Sequence, residues 1–286
     1  MKIKTLFSLM VAALLFAQTS THAQPTDSLT PAQTQLQALV QKVQAKIKAG
    51  QDTEADLADE LKSFDSLVAS ENGAKTDDAA QIVYMKAMLY LEVFKNNEKG
   101  AELIKQIKAN YPDTKYGQNA DKILASLAKQ AAAKKIQDSL AAGAVFPDFA
   151  ETDLNGKPLS VTAFKGKVVL VDFWATWCPP CRAELPNVIA TYKKHHSEGF
   201  EIIGVSLDGM RDKLESFLKD NPDMTWQQVF DGNGEAAQNW SSKLAAKYGV
   251  QSIPFAVLVG PDGKIIGKEL RGEELETAVS AAVAKK

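Results

Sequence analysis

The stretch Val171-Asp-Phe-Trp-Ala-Thr-Trp-Cys-Pro-Pro-Cys-Arg-Ala-Glu-Leu-Pro186 decides how this chain folds. It starts within an apolar run, Val168-Val-Leu-Val-Asp-Phe173, whose composition is that of a buried strand. It then passes through a Cys-x-x-Cys turn into a helical segment, and Cys181 falls in the first helical turn. Pro179 and Pro180 suit that turn, because the first residues of a helix have no intrahelical partner for their N–H groups.

Thiol–disulfide exchange is the chemistry this arrangement suits. The thiolate is the nucleophile, and a helix N-terminus favours an anion through its partial positive charge and unpaired N–H groups. Cys178 is expected at the N-cap, exposed, as the attacking sulfur. Cys181 is expected deeper, as the resolving thiol. The two prolines remove two possible donors to the Cys178 sulfur and leave the Cys181 N–H. Asp172 stands on the apolar strand, where burial would raise its pKa and suit it to exchange a proton with Cys181. Glu184, one helical turn beyond Cys181, is a candidate for the same task. Ser252-Ile-Pro254 precedes another apolar run, and a proline there marks a tight turn that can be cis.

Composition narrows the alternatives. The chain has 286 residues, 45% hydrophobic and 24% charged, with a formal net charge of -2, so it is long enough for two ordinary domains. Nothing basic points to nucleic acid. The 2 cysteines are the pair already described, too close together to staple distant segments. The 3 histidines are His22, His195 and His196. They do not complete the four-ligand set of a zinc site, and neither metal nor cofactor is expected.

Outward from the motif, strand patterns recur at Glu201 to Leu207, Phe255 to Val259 and from Ile265. Helical segments lie between and after them, at 179–197, 211–220, 236–247 and 273–284. Strand–helix alternation closed by a hairpin and a helix implies an α/β sandwich with a mixed sheet flanked by helices, over residues 143–286.

Residues 24–142 read as an all-α domain of five segments. The first carries Leu36, Leu39, Val40, Val43 and Ile47 at helical spacing. Tyr84 to Leu127 resembles one tetratricopeptide-type hairpin, but no second in-register copy follows, so a small helical bundle is the expectation. Residues 1–23 have the order of a cleaved signal peptide: Lys2 and Lys4, an apolar run from Leu6 to Ala17, then Thr21-His-Ala23. The expected location is therefore periplasmic, with an uncleaved N-terminal anchor as the alternative.

Taken together, Phe173-Trp-Ala-Thr-Trp-Cys-Pro-Pro-Cys181, Pro186 and Ile253-Pro254 resemble the thioredoxin superfamily. The branch they resemble most is the exported TlpA/ResA-like one, with a domain of the AhpC/TSA–Redoxin type. Phe146-Pro-Asp-Phe149 with Leu154-Asn-Gly-Lys157 looks like that branch's N-terminal hairpin, and Gly209 to Gly232 like its added helix and strand. The resemblance spans about residues 144–286. It implies a cis-proline at Pro254 facing the disulfide, with the Ile253 backbone offered to an incoming peptide. It makes Asp172 the family's buried acid and puts Glu184 where some cytochrome c maturation members carry a glutamate.

The expectation is an exported thiol–disulfide oxidoreductase that reduces protein disulfides through Cys178 and Cys181. Asp172 and Glu184 would handle the proton, while Trp177, Pro179, Pro180, Ile253 and Pro254 would meet the substrate. A membrane thiol-electron donor would restore the dithiol, and residues 24–142 would serve a partner or self-association. The rival readings are a disulfide oxidase or isomerase that dimerises through the helices, and a redox-sensitive binding module. Peroxide reduction fits poorly, because a tight cysteine pair flanked by tryptophans suits exchange.

Overall fold

A computed structural model describes residues 29–232 and 242–285. The expected signal peptide, and the first part of the helix expected at 236–247, lie outside the described residues. The chain divides into two compact units, residues 1–129 and 130–286.

The first unit is helical, as the periodicity requires. Helix α1 (Pro31–Lys48) opens with a capping box: the Thr30 side chain accepts the Gln33 N–H at 3.1 Å, and Gln33 accepts the Thr30 N–H at 3.2 Å. Its buried residues are Leu36, Leu39, Val40, Val43 and Ile47, the stripe read from the sequence. Helix α2 (Ala58–Ser70) packs on α1. Helix α3 (Asp77–Met88), capped by Thr76, continues into a π-helical turn at Leu89–Val93. The expected third helix is thus a helix with an altered last turn. Helix α4 (Asn97–Asn110) is capped by Asn96 and lies against α3. Helix α5 (Lys115–Ser139) begins in this unit. Leu57, Phe64, Ile82, Leu89, Ile104 and Ile107 form the centre of one core, each about 1% exposed or less.

The second unit is built on a five-stranded sheet in the order β5-β4-β3-β6-β7. Strand β3 (Val168–Trp174) is central. It pairs in parallel with β4 (Phe200–Ser206), and β4 pairs in parallel with β5 (Gln227–Phe230). On the other side β3 runs antiparallel to β6 (Phe255–Val259), which pairs antiparallel with β7 (Ile265–Lys268). Helix α6 (Pro179–His195) crosses from β3 to β4, α7 (Arg211–Asp220) from β4 to β5, and α9 (Gly272–Val283) closes the chain against α6. A short helix, α8 (Lys243–Lys247), precedes β6. A two-stranded ribbon of β1 (Glu151–Thr152) and β2 (Pro158–Leu159) stands where the N-terminal hairpin was expected. This is the thioredoxin-like sandwich the sequence implied.

Alternation along β3 divides the core into two layers. Val169, Val171 and Phe173 join a cluster with Phe146, Phe149 and Tyr248. Val168, Leu170 and Trp174 face the opposite way, into a cluster that holds Cys178, Cys181, Leu185, Leu275 and Val279. Asp172 shares the parity of this second set, so its carboxylate belongs to the layer under α6 and α9.

Candidate active site

Strand β3 ends at Trp174, and the chain turns through Ala175–Trp177 before α6 begins. Asp208, 1% exposed, anchors that turn from beyond β4. Its carboxylate accepts the Thr176 N–H at 3.2 Å and the Thr176 hydroxyl at 2.6 Å, and also the Ser206 hydroxyl at 2.7 Å. A second tie runs from the Trp174 indole N–H to Gln228 Oε1 at 3.1 Å. Gly204 leaves room for it: a Cβ there would stand 2.1 Å from Gln228 Oε1. These side chains fix the platform from which Cys178 projects.

Cys178 is the N-cap of α6, and Pro179 and Pro180 begin the helix. The Cys181 N–H donates to Cys178 Sγ at 3.2 Å, the donor that the double proline leaves available. The two cysteines form a disulfide with their Cα atoms 5.3 Å apart. Cys178 is 3% exposed and Cys181 4%, so exposure does not separate attacker from resolver. Cys178 is thus buried and not at the exposed position that its N-cap place implies. An N-cap lies at the mouth of a helix, but this one belongs to the buried cluster under α6. What distinguishes the two sulfurs is the hydrogen bond that Cys178 accepts.

Behind the disulfide is a cavity of about 10 Å³, lined in part by Asp172, Cys181, Glu184, Pro254 and Arg271. It has room for about one water molecule. Asp172 is buried between Gly204 of β4 and Ala256 of β6. Burial pushes its pKa up to about 6 from an ordinary 3.8; the Arg271 charge opposes that shift and the Glu184 charge adds to it. Glu184, half-buried, is held at both oxygens. It accepts the Gly272 N–H at 2.6 Å and the Asn187 side-chain amide at 3.2 Å. Gly272 has φ +50°, a conformation that suits glycine, and it starts α9.

The Ile253–Pro254 peptide is cis. Pro254 borders the cavity beside Cys181, and Ile253 packs against both core layers. Trp177, half-buried, packs on the layer that holds the cysteines. Pro179 and Pro180 are exposed, and Pro179 borders an open groove of about 460 Å³ between α6 and α7, lined also by Arg182, Pro186, Phe217 and Asn221. Cys178, Cys181, Asp172, Glu184 and Pro254 therefore converge. Asp208 and Arg271 were not anticipated from the sequence; a run of apolar residues ending in Ser206-Leu-Asp208 was the one local hint for the former. Among the described residues no cluster of three or more histidine, cysteine or acidic side chains could hold a metal ion.

A mixed sheet, a disulfide bridging the first turn of a helix and a cis-proline beside it define the thioredoxin class of redox proteins. The model of the Redoxin family matches residues 141–285. The thiol-disulfide oxidoreductase ResA of Bacillus thuringiensis subsp. konkukian is 34% identical over 138 residues, which cover 48% of this chain and 74% of that protein. ResA of Bacillus subtilis is 29% identical over 143 residues, 50% of this chain and 74% of that protein. Among solved structures, the thioredoxin domain of a thiol-disulfide oxidoreductase from Bacteroides vulgatus is 36% identical, covering 51% of this chain and 99% of its own, with a TM-score of 0.44. The chain belongs to the Redoxin family, among the TlpA/ResA-like thiol–disulfide oxidoreductases of the thioredoxin superfamily.

Proposed function

We propose that this protein is an exported reductant of protein disulfides, working through Cys178 and Cys181. The observation that carries the reading is the Cys181 N–H pointing at Cys178 Sγ where a helix begins. That bond and the helix dipole stabilise negative charge on sulfur 178 once the pair is reduced.

In the forward direction the Cys178 thiolate attacks one sulfur of a substrate disulfide. A mixed disulfide forms, and the other substrate sulfur leaves as a thiolate that takes a proton from solvent. Cys181 then gives its proton to the Asp172 carboxylate, and its sulfur attacks Cys178 Sγ. The mixed disulfide breaks, the second substrate sulfur leaves as a thiolate, and the proton on Asp172 passes outward. Two electrons have moved from the enzyme dithiol to the substrate, leaving the Cys178–Cys181 disulfide. A thiol-electron donor at the membrane must then return two electrons. The Ile253 backbone, Pro254, Trp177 and the exposed Pro179 and Pro180 form the surface that meets the substrate polypeptide.

Export rests on residues 1–23, whose order is that of a cleaved signal peptide; the proposed location is the periplasm, with an uncleaved N-terminal anchor as the alternative. Residues 24–142 are proposed as a recognition or self-association domain and 143–286 as the redox domain. No helix among the described residues is long and apolar enough to cross a membrane. The test is reduction of insulin by the dithiol-loaded full chain, and capture of partners in cells by Cys181→Ser. Turnover of insulin together with covalent trapping of disulfide-containing proteins supports the reading. Oxidation of a reduced, unfolded substrate faster than reduction of insulin would reverse its direction, and trapping of nothing by Cys181→Ser would remove it.

A further inference from the structure

Arg271 lies at the corner between β7 and α9, where it is the N-cap residue of α9. It is half-buried and borders the same small cavity as Asp172, Glu184 and Cys181. Its guanidinium donates to the Leu270 carbonyl at 2.8 Å, which ties the head group back onto its own corner. It lines the same cavity as Asp172, and its charge favours the ionised form of that carboxyl. Glu184 is pinned to the same corner by the N–H of the next residue, Gly272. One cation and two carboxylates therefore meet behind the resolving cysteine, and a single backbone turn positions two of the three.

The charge count has a consequence. With both carboxylates ionised, the group of three carries one negative charge in a place where water is scarce. Glu184 accepts two hydrogen bonds and is partly open to solvent. Among the described residues none donates a hydrogen bond to the Asp172 carboxyl, and burial favours its protonated form. The neighbouring strands add no charge: β4 presents Gly204, β6 presents Ala256, and Pro254 stands just before β6. From α6 the titratable neighbours are Cys181 and Glu184. Arg271 is the one cation lining the cavity.

We propose that Arg271 is a positioning residue that keeps the Asp172 carboxylate available to accept the Cys181 proton, by balancing the negative charge Asp172 shares with Glu184. Without the guanidinium, a larger share of Asp172 would already hold a proton at neutral pH and could not take another. Resolution of the mixed disulfide would then slow, while the attack by Cys178 would not. This inference rests on the reductive reading above and adds to it a control on its proton step.

The experiment follows the Asp172 carboxyl by ¹³C NMR titration in the oxidised full-length protein, which requires no turnover. Arg271→Gln is expected to move the Asp172 midpoint up by about 1 pH unit or more, and Arg271→Lys to keep it nearer the wild-type value. In single-turnover reduction of a small aromatic disulfide, Arg271→Gln should slow the second thiolate release and spare the first. In an Asp172→Asn background, Arg271→Gln should change neither phase further. An unmoved midpoint in Arg271→Gln overturns the proposal, as does an equal loss from Arg271→Gln whether or not Asp172 is present. Arg271→Met, which keeps the packing of the stem, replaces the glutamine variant should that one not fold. The titration stands apart from the parent reading: an inactive wild type with a shifting midpoint would defeat the reductase and leave the Arg271–Asp172 linkage intact.

Discussion

Glu60 in the helical unit and Asp172 in the thioredoxin-like unit are both carboxylates turned into a core, and their surroundings differ. Glu60 is fully buried, with Lys42 at 2.9 Å and Lys46 at 2.7 Å. Burial alone would push its pKa up, but the lysine hydrogen bonds prevail and hold it below the ordinary value of 4.5. Asp172 has only a through-space cation, and burial raises it to about 6. A buried acid with its charge answered on the spot is structural. One left short of a partner sits near neutrality and can move a proton. Glu60 thus uses its charge to hold helices together, while Asp172 keeps its charge unanswered for chemistry.

The largest expected effect tests that division directly. Cys178→Ser should bring insulin reduction to the uncatalysed background, while Glu60→Gln should leave the rate of the folded protein unchanged. A loss of activity in the Glu60 variant at full folding would break the division. Next is Phe64→Ala, at a residue 1% exposed in the helical core. It should cost about 3–5 kcal/mol in urea unfolding and spare the insulin activity of folded protein. An equal loss of activity would mean that the helical unit takes part in the chemistry.

Asp172→Asn comes third, and its sign is opposite to that of an acid whose charge is paired, such as Glu60. The folded-state pKa of about 6 lies above the ordinary 3.8, so the folded protein binds this proton more tightly than the unfolded chain. The resulting stability is fully present below pH 3.8 and is lost as pH rises through about 6. The interval corresponds to about 3 kcal/mol at about 1.4 kcal/mol for each tenfold. Asp172→Asn should therefore stabilise the protein by up to that amount at neutral pH and slow the resolving step by ~100-fold or more. Glu60 has the reverse slope: its contribution is present above pH 4.5 and is lost as pH falls through its depressed value. Glu60→Gln should destabilise at neutral pH and flatten that acid limb. Denaturation midpoints from pH 3 to 8 read both. The smallest effect is Thr30→Ala, which removes the cap of α1 and should cost about 1 kcal/mol without altering any rate.

Much of the fold was legible because its signals are local. The α1 stripe, the Thr30–Gln33 box, the all-apolar β3 and the two short strands near the C-terminus each depend on spacing within a few residues. The cysteine pair, Asp172 within its apolar run and Ile253-Pro254 were legible for the same reason. Arg211, the first residue of α7, bonds Glu215 and the Leu154 carbonyl, so it ties α7 to the β1–β2 ribbon. Asp208 and Arg271 carried no local signature of the work they do. Asp208 meets Thr176 only because β4 lies beside β3, and the Glu184–Gly272 bond joins residues 88 positions apart.

The sequence alone determined the class of chemistry. Two sulfurs three positions apart at a strand-to-helix turn leave few other uses, and the helix start that favours a thiolate is a property of neighbouring residues. Only the tertiary structure decided how deeply the sulfurs lie and which charges surround the acid behind them. Burial and Coulomb interactions depend on what distant segments bring within a few ångströms, and residue order does not state those distances. Cys178 has the sequence position of an open N-cap and is covered; Arg271 carries no local signal in the sequence and lines the same one-water cavity as the acid.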